Sequence, residues 1–142
     1  MHLPDINVWL ALAFEVHFHH GAAKALFEGT EPDSCAFCRL TQQGFLRLAT
    51  NPAVFKDEAL TMDVAWSCYD KLLEDERVYF MREPEGLEKA WRVSTRNRGY
   101  SHRVWSDAYL VAFARTANLE IATFDQGFRE YNTIRVTILI II

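Results

Sequence analysis

Three aspartates in this chain occupy positions from which carboxylates commonly act together. Asp107 follows Ser106, a good N-cap, in the first turn of a segment whose apolar residues recur at helical spacing. Asp125 comes directly after an apolar run, residues 119–124, that is typical of a buried strand. Asp5 closes a short apolar segment near the N-terminus. In a parallel α/β sheet these positions lie at the edge where strands end and ligands bind, so we expect the three carboxylates to converge.

The chemistry that suits converging carboxylates is the binding of a divalent cation. Clustered carboxylates repel one another, and a hard cation with oxygen ligands relieves that repulsion. A magnesium or manganese ion held in this way lowers the pKa of an attacking water and neutralises charge on a phosphodiester. The alternative to a shared site is that each acid has only a local structural role. Asp107 would then stabilise a helix N-terminus, and Asp125 would stabilise its turn. We predict that Asp5, Asp107 and Asp125 are the metal ligands and catalytic residues of one site.

The elements that must position these acids alternate between strands and helices. The predicted strands are residues 3–8, which turn into a helix at 5–7, and residues 34–40, 78–81, 119–124 and 133–142. The predicted helices follow the first strand, cover residues 21–27 and 87–97, and begin at the caps Thr41, Thr61 and Ser106. This alternation is typical of an α/β fold with a mostly parallel sheet and helices on both faces. The length predicts a single domain over residues 1–142.

The composition favours a folded chain without a broadly basic surface. Of the 142 residues, 50% are hydrophobic and 24% are charged, and the formal net charge is -4. A general nucleic-acid surface is therefore not expected, but residues 92–103 contain a local basic run. Such a run is usually a solvated face. Its aromatic neighbours Trp91, Tyr100 and Trp105 also suit contact with RNA backbone and unpaired bases.

The cysteines and histidines indicate packing and surface roles. Cys35 and Cys38 invite a zinc or redox interpretation, but no second Cys or His pair lies at finger spacing, so we interpret them as reduced packing thiols. The histidines within residues 17–20 are interpreted as surface or partner-facing, because the expected metal chemistry uses oxygen ligands. No signal peptide is apparent, and the run 138–142 is too short to span a bilayer, so a soluble cytoplasmic protein is expected.

Four segments, in order, cover nearly the whole chain. They are LPDINVWLAL near the N-terminus, LTQQGFLRLATNP in the middle, and WSDAYLVAFA and ATFDQGF in the last third. Together they resemble the PIN domain, specifically the VapC-type toxins of bacterial toxin–antitoxin pairs. The resemblance implies a three-layer α/β/α sandwich and a magnesium- or manganese-dependent endoribonuclease. It also implies homodimerisation and inhibition by a cognate antitoxin.

The resemblance assigns roles to individual residues. Asp5 matches the family's first acid, Asp107 the acid that opens a late helix, and Asp125 the acid after the following strand. Asn7 matches the polar residue just after the first acid, where it would orient the turn or a water on the metal.

One position departs from the family pattern. The family usually supplies a glutamate near the start of the helix at Thr41, and the candidates here are Gln42, Gln43 and Gly44. A TENGF-like motif would place that glutamate at Gln42, and the commoner spacing would place it at Gly44. Gln42 offers a neutral amide oxygen, so we expect weaker metal binding, one well-held ion and reduced activity. Thr41 is interpreted first as a helix cap and second as a site hydroxyl.

Four arginines are the predicted substrate contacts, namely Arg47, Arg96, Arg98 and Arg103. A guanidinium group suits a phosphate, although a solvated surface explains Arg47 equally well.

Two other functions stay open. One is a PIN-like module that has lost catalysis and binds RNA or a partner. The other is an aspartate-dependent phosphatase-like hydrolase, which would need an Asp-x-Asp motif where this chain has Asp5-Ile6-Asn7.

Overall fold

Short strands alternate with helices in the computed structural model, which describes residues 1–99, 101–131 and 134–139. The strands are β1 (His2–Pro4), β2 (Cys35–Phe37), β3 (Val78–Phe80), β4 (Glu120–Thr123) and β5 (Val136–Ile138). The helices are α1 (Ile6–Ala13), α2 (His20–Glu28), α3 (Arg39–Ala49), α4 (Pro52–Phe55), α5 (Met62–Glu74), α6 (Leu87–Thr95) and α7 (Val104–Ala117). Two short 3-10 helices, Lys56–Glu58 and Gln126–Glu130, follow α4 and β4.

The five strands form one sheet in the order β3-β2-β1-β4-β5. Every pairing is parallel, with Leu3 opposite Ile121 and Cys35 opposite Val78. All strands therefore end at the same edge. From β1 the chain adds β2 and then β3 on one side, and from β4 it adds β5 on the other side, so the order reverses between β1 and β4. Ligands bind at such a switch point, outside the carboxyl ends of the strands.

Helices cover both faces of the sheet, which confirms the predicted three-layer α/β/α sandwich. On one face Phe37 packs with Trp9 of α1, the two rings lying 3.8 Å apart between centroids. The same cluster includes Phe27, Phe45 and Tyr69 from α2, α3 and α5. On the other face Leu3, Ala36 and Ile121 pack against α7, which contributes a run of buried residues from Leu110 to Ala114. Across the described ranges, no helix combines the length and apolar character that crossing a bilayer requires.

Two helices begin earlier than the sequence predicts. Ser106 and Thr41 are wrong as N-caps, because α7 begins after Arg103 and α3 begins after Cys38. Thr41 instead completes a capping box, in which its hydroxyl accepts a hydrogen bond from the Cys38 N–H at 3.0 Å. Thr61 is the N-cap of α5, as predicted.

The strands are shorter than their apolar runs. The predicted strand 34–40 ends at Phe37, since α3 takes over at Arg39, and the first strand ends at Pro4, since Asp5 caps α1. The predicted last strand is observed only as β5, and residues 132, 133 and 140–142 lie outside the described residues, as does Tyr100.

The packing interpretation of the cysteines is confirmed. Cys35 and Cys38 are free and wholly buried, on opposite faces of the sheet. Burial raises the pKa of both thiols, which makes them less reactive.

The histidines are less exposed than expected. His17, His19 and His20 are each partly buried rather than fully at the surface. The His19 ring stacks on Phe124 with 4.3 Å between centroids, and His20 Nδ1 lies 2.8 Å from the carbonyl oxygen of Ala11. These contacts fasten the segment between α1 and α2 to the rest of the fold.

Candidate metal centre

Asp5 joins the end of β1 to the start of α1. Its backbone N–H donates to the Ala122 carbonyl at 2.9 Å, which extends the pairing of β1 with β4 by one residue. Its side chain caps α1, where Oδ1 accepts from the Ile6 N–H at 2.7 Å. Oδ2 accepts from the Thr123 hydroxyl at 2.9 Å. Burial is the main cause that raises the pKa of Asp5, and the negative charge of Asp125 adds to it.

Thr123, the last residue of β4, ties two of the acids together. Its side chain is wholly buried, and its hydroxyl accepts from the Asp125 N–H at 3.0 Å while it donates to Asp5. The single hydroxyl hydrogen is therefore used on Asp5, and the oxygen lone pairs serve the other partners. Sequence reasoning missed this residue. The available signal was a hydroxyl at the end of a buried strand, two residues before a predicted ligand.

Asn7 fastens the same strand end from α1. Its Nδ2 donates to the Thr123 hydroxyl oxygen, and its Oδ1 accepts from the Phe124 N–H, both at 3.4 Å. These contacts agree with the expected role of Asn7 in orienting the turn. They place its amide beside the hydroxyl that holds Asp5.

Asp125 and Asp107 complete the acidic edge. Asp125 is exposed and caps the short helix after β4, with Oδ1 accepting from the Gly127 N–H at 2.8 Å. Asp107 lies half-buried in the first turn of α7. Its pKa is raised to about 6, first by burial and then by the negative charges of Asp5 and Asp125. The three carboxylates thus lie close enough to repel one another.

The donor set suits a hard divalent cation, although the side chains are not gathered around a common point. Over residues 1–99, 101–131 and 134–139, no group of three or more His, Cys, Asp or Glu side chains is arranged to hold a metal ion. The nearby acids offer only oxygen atoms, which magnesium and manganese prefer. A cation would also relieve the repulsion that raises the pKa of Asp107. Asp5, Asp107 and Asp125 therefore fit a metal by chemistry and by charge.

Comparison with known families matches residues 3–134 to the PIN domain. The chain belongs to the PIN-domain family. The matched range begins before Asp5 and ends after Asp125, so it contains all three acids.

Relatives of this PIN-domain chain are similar over almost their full length. Ribonuclease VapC41 from Mycobacterium tuberculosis is 41% identical over 144 residues, covering 98% of this chain and 99% of the relative. The crystal structure of the M. tuberculosis sarcin-ricin loop cleaving toxin VapC20 superposes with a TM-score of 0.69 at 19% identity, covering 93% of this chain and 95% of VapC20. The structure of VapBC2 from Rickettsia felis, bound to a promoter DNA fragment, gives a TM-score of 0.69 at 10% identity and covers 98% of both chains. At these identities the two structures establish the fold.

The PIN-domain position where a further acid was expected has no carboxylate. Gln42 is buried, and its Oε1 accepts from Arg39 Nη1 at 2.5 Å, while its amide is hydrogen-bonded to Tyr69. Thr41 is wholly buried and bonds to Cys38. The hydrogen bonds described for these two residues go to Arg39, Tyr69 and Cys38, and their support of the metal site stays a prediction.

Gly44, the other candidate for the missing acid, packs against the residue that follows Asp5. A Cβ atom at position 44 would lie 2.1 Å from Ile6 Cδ1 and 2.8 Å from Ile6 Cγ1, far inside contact distance. The Ile6 side chain therefore occupies the space into which a larger residue at position 44 would extend.

The predicted substrate arginines are dispersed. Arg98 pairs with Glu130 at 3.5 Å and its guanidinium lies 4.3 Å from the Tyr131 ring centroid, so its charge is already used within the fold. Arg47 lies in the last turn of α3, about 12 Å along the helix from its first residue. Arg103 is exposed just before α7, and Arg96 lies at the end of α6. Only Arg96 among these four lines a groove described below.

We expect Asp107→Asn to stabilise the metal-free protein at neutral and higher pH. The raised pKa of Asp107 means that this residue contributes stability below its unfolded value of 3.8, and that this stability is lost as the pH rises through about 6. Because the residue is half-buried, solvent screening reduces the difference to about 1 kcal/mol. Urea denaturation in EDTA should show the gain above about pH 7 and no gain near pH 4.

Asp63→Asn is the matched control, because Asp63 occupies the exposed first turn of α5. It measures the effect of losing a carboxylate in the first turn of a helix at a place where no acids of the candidate site are nearby. Equal stability of wild type and Asp107→Asn at every pH would contradict the repulsion among the three carboxylates.

Proposed function

We propose that this protein is the ribonuclease toxin of a toxin–antitoxin pair and hydrolyses RNA phosphodiester bonds with magnesium or manganese. Family membership and the 41% identity to Ribonuclease VapC41 support an RNA-hydrolysing enzyme. The single observation that carries the metal-dependent chemistry is that the Thr123 hydroxyl joins Asp5 to Asp125, close enough to Asp107 that both acids raise its pKa. Three acids from distant parts of the chain share one edge of the sheet, with charges that a cation would compensate.

In this proposal the three aspartates hold the metal ion, and each has a different role. A bound divalent cation supplies Lewis acidity to the phosphodiester and makes a water molecule easier to deprotonate. Asp5 is held by the Ile6 N–H and the Thr123 hydroxyl, so one ligand is fixed before the metal arrives. Asp125 is oriented by the Gly127 N–H. Asp107 is ionised above about pH 6 and supplies the third carboxylate.

The chain binds a cognate antitoxin and a second copy of itself in this proposal. The exposed large apolar side chains include Phe18 between α1 and α2, and Met62, Val64 and Trp66 on α5. Exposed apolar patches of this kind are common at protein interfaces. We further propose that residues 1–142 form a single domain. We also propose that the protein is cytoplasmic, because thiols such as those of Cys35 and Cys38 stay reduced in that compartment.

A binding module without catalysis is the second candidate, favoured by one observation. Position 42 is a glutamine turned toward Arg39, and position 44 is a glycine covered by Ile6, so no fourth carboxylate joins the aspartates from these positions. The site then holds one cation with modest affinity, and loss of that cation would leave RNA binding alone.

Digestion of purified bacterial RNA separates the two functions. Wild-type protein should cleave RNA with manganese or magnesium, lose that activity in EDTA, and regain it when excess metal is added. A binding module would retard the RNA on a gel without shortening it. Cleavage that is equally fast in EDTA would show that the three carboxylates do not act through a metal.

A further inference from the structure

A groove near the carboxyl ends of β2 and β3 has no role in the site described above. Its volume is about 720 Å³, within the range of ligand-binding sites. The walls come from the start of α3, the segment after β3, and the first turns of α7, including Arg39, Arg82 and Trp105. Ser106, the residue before Asp107, also lines it. The groove therefore adjoins the first turn of α7, which carries Asp107.

An exposed indole forms one wall of the groove. Trp105 is 57% exposed, although such a side chain is among the most favourable to bury. Trp91 supports it, because the Trp91 Nε1–H donates to the Trp105 carbonyl at 3.1 Å and the two rings meet edge-on with centroids 6.0 Å apart. Tyr109 supports Trp91 in turn, at 5.3 Å. The exposed ring of Trp105 is thus held on a rigid aromatic base.

The groove is positively charged in a protein of net charge -4. Arg39 and Arg82 line it, and a second groove that shares Trp91 and Trp105 adds Arg96. Within the part of the chain that the structure describes, none of these three arginines makes an ion pair with a carboxylate. The Arg39 guanidinium lies 4.7 Å from the Phe80 ring centroid, which holds it beside the groove.

The acids of the groove are already engaged. Glu83 accepts from the Tyr109 hydroxyl at 3.0 Å, and Glu88 pairs with Arg92 at 3.2 Å. Glu83 disfavours a phosphate at its own position. The phosphates of a bound strand would therefore follow Arg39 and Arg82, and a base would face the aromatic wall.

We propose that this groove binds a single-stranded segment of the RNA substrate next to the cleaved bond, with one unpaired base stacked on Trp105 and adjacent phosphates on Arg39 and Arg82. Stacking on an indole requires an exposed base face, which a duplex does not offer. This inference deepens the proposed ribonuclease function and rests on it.

The test measures binding separately from cleavage. Short single-stranded RNA carrying 2-aminopurine at successive positions is titrated into the Asp5→Asn variant, which binds without cutting. One position should lose fluorescence on binding. Adding Trp105→Ala to this background should abolish the quenching and weaken affinity about tenfold, whereas Trp105→Phe should retain most of both. Val54→Ala, which truncates a half-exposed apolar side chain on α4, is the control and should change neither.

Salt dependence tests the phosphate contacts. Arg82→Ala should reduce the slope of log affinity against log salt concentration by about 0.7, the value for one phosphate contact on a single strand. Arg115→Ala, in the last turn of α7, should leave that slope unchanged.

The outcomes separate this subsite from the nuclease itself. Unchanged RNA affinity in Trp105→Ala, with wild type still cleaving in manganese, would overturn the subsite and leave the ribonuclease function standing. The same result is expected if a protein partner occupies the groove instead of RNA. Position-specific quenching without metal-dependent cleavage would support the subsite and overturn the nuclease.

Discussion

Asp5→Asn is expected to reduce RNA cleavage by about 10³-fold, the loss that corresponds to several kcal/mol of metal-derived transition-state stabilisation. Asparagine keeps an oxygen that accepts from the Ile6 N–H, so α1 remains capped. The variant lacks the negative charge of the Asp5 carboxylate, which attracts the cation. Initial rates on labelled RNA in saturating manganese measure the effect, and the melting temperature verifies that the fold is kept.

Asp63→Asn provides the control for this loss, since it also neutralises an aspartate but on the exposed first turn of α5. Its cleavage rate should match wild type. Calorimetric titration with manganese should give one site in wild type and none in Asp5→Asn. A variant that lacks the Asp5 carboxylate yet cleaves at the wild-type rate would remove Asp5 from the metal site.

Thr123→Val is expected to lower metal affinity and cleavage 10- to 100-fold, the usual cost of losing a partner that orients a metal ligand. Valine has nearly the same shape as threonine but leaves Asp5 Oδ2 and the Asp125 N–H without their shared hydroxyl. Cleavage at increasing manganese concentration should show a raised requirement for the metal. Excess manganese should recover part of the rate, because both ligands are still present.

Thr123→Ser keeps the hydroxyl and should stay close to wild type in manganese requirement. If serine and valine impair the enzyme equally, the role of Thr123 is one of packing at the end of β4. A wild-type manganese requirement in Thr123→Val would show that Asp5 is oriented without this hydrogen bond.

The positions of the acids followed from the sequence because each one adjoins a strong local signal. Asp5 directly follows β1 and Asp125 is the second residue after β4, and a parallel sheet brings such positions to one edge whatever their separation along the chain. Their contact with Thr123 did not follow. A buried threonine in a strand is ordinary, and only the register of β4 against β1 directs its hydroxyl at Asp5.

The predicted starts of α3 and α7 were wrong for a different reason. Ser106 and Thr41 are typical caps, but the observed N-caps of α7 and α3 are Arg103 and Cys38, residue types that are not favoured at that position and so give no signal in the sequence. The groove was anticipated only through Trp91 and Trp105 and the nearby basic run. Arg39 and Arg82 come from α3 and the segment after β3, outside that run, and only the folded chain brings them beside Trp105.

The close fit of Ile6 over Gly44 links two positions that are 38 residues apart in the sequence. Neither position can change alone in a way that brings a carboxylate to position 44. A glutamate at position 44 meets the isoleucine, and a smaller residue at position 6 leaves a void beside the glycine. A descendant of this chain could therefore acquire a carboxylate at position 44 only together with a change at position 6.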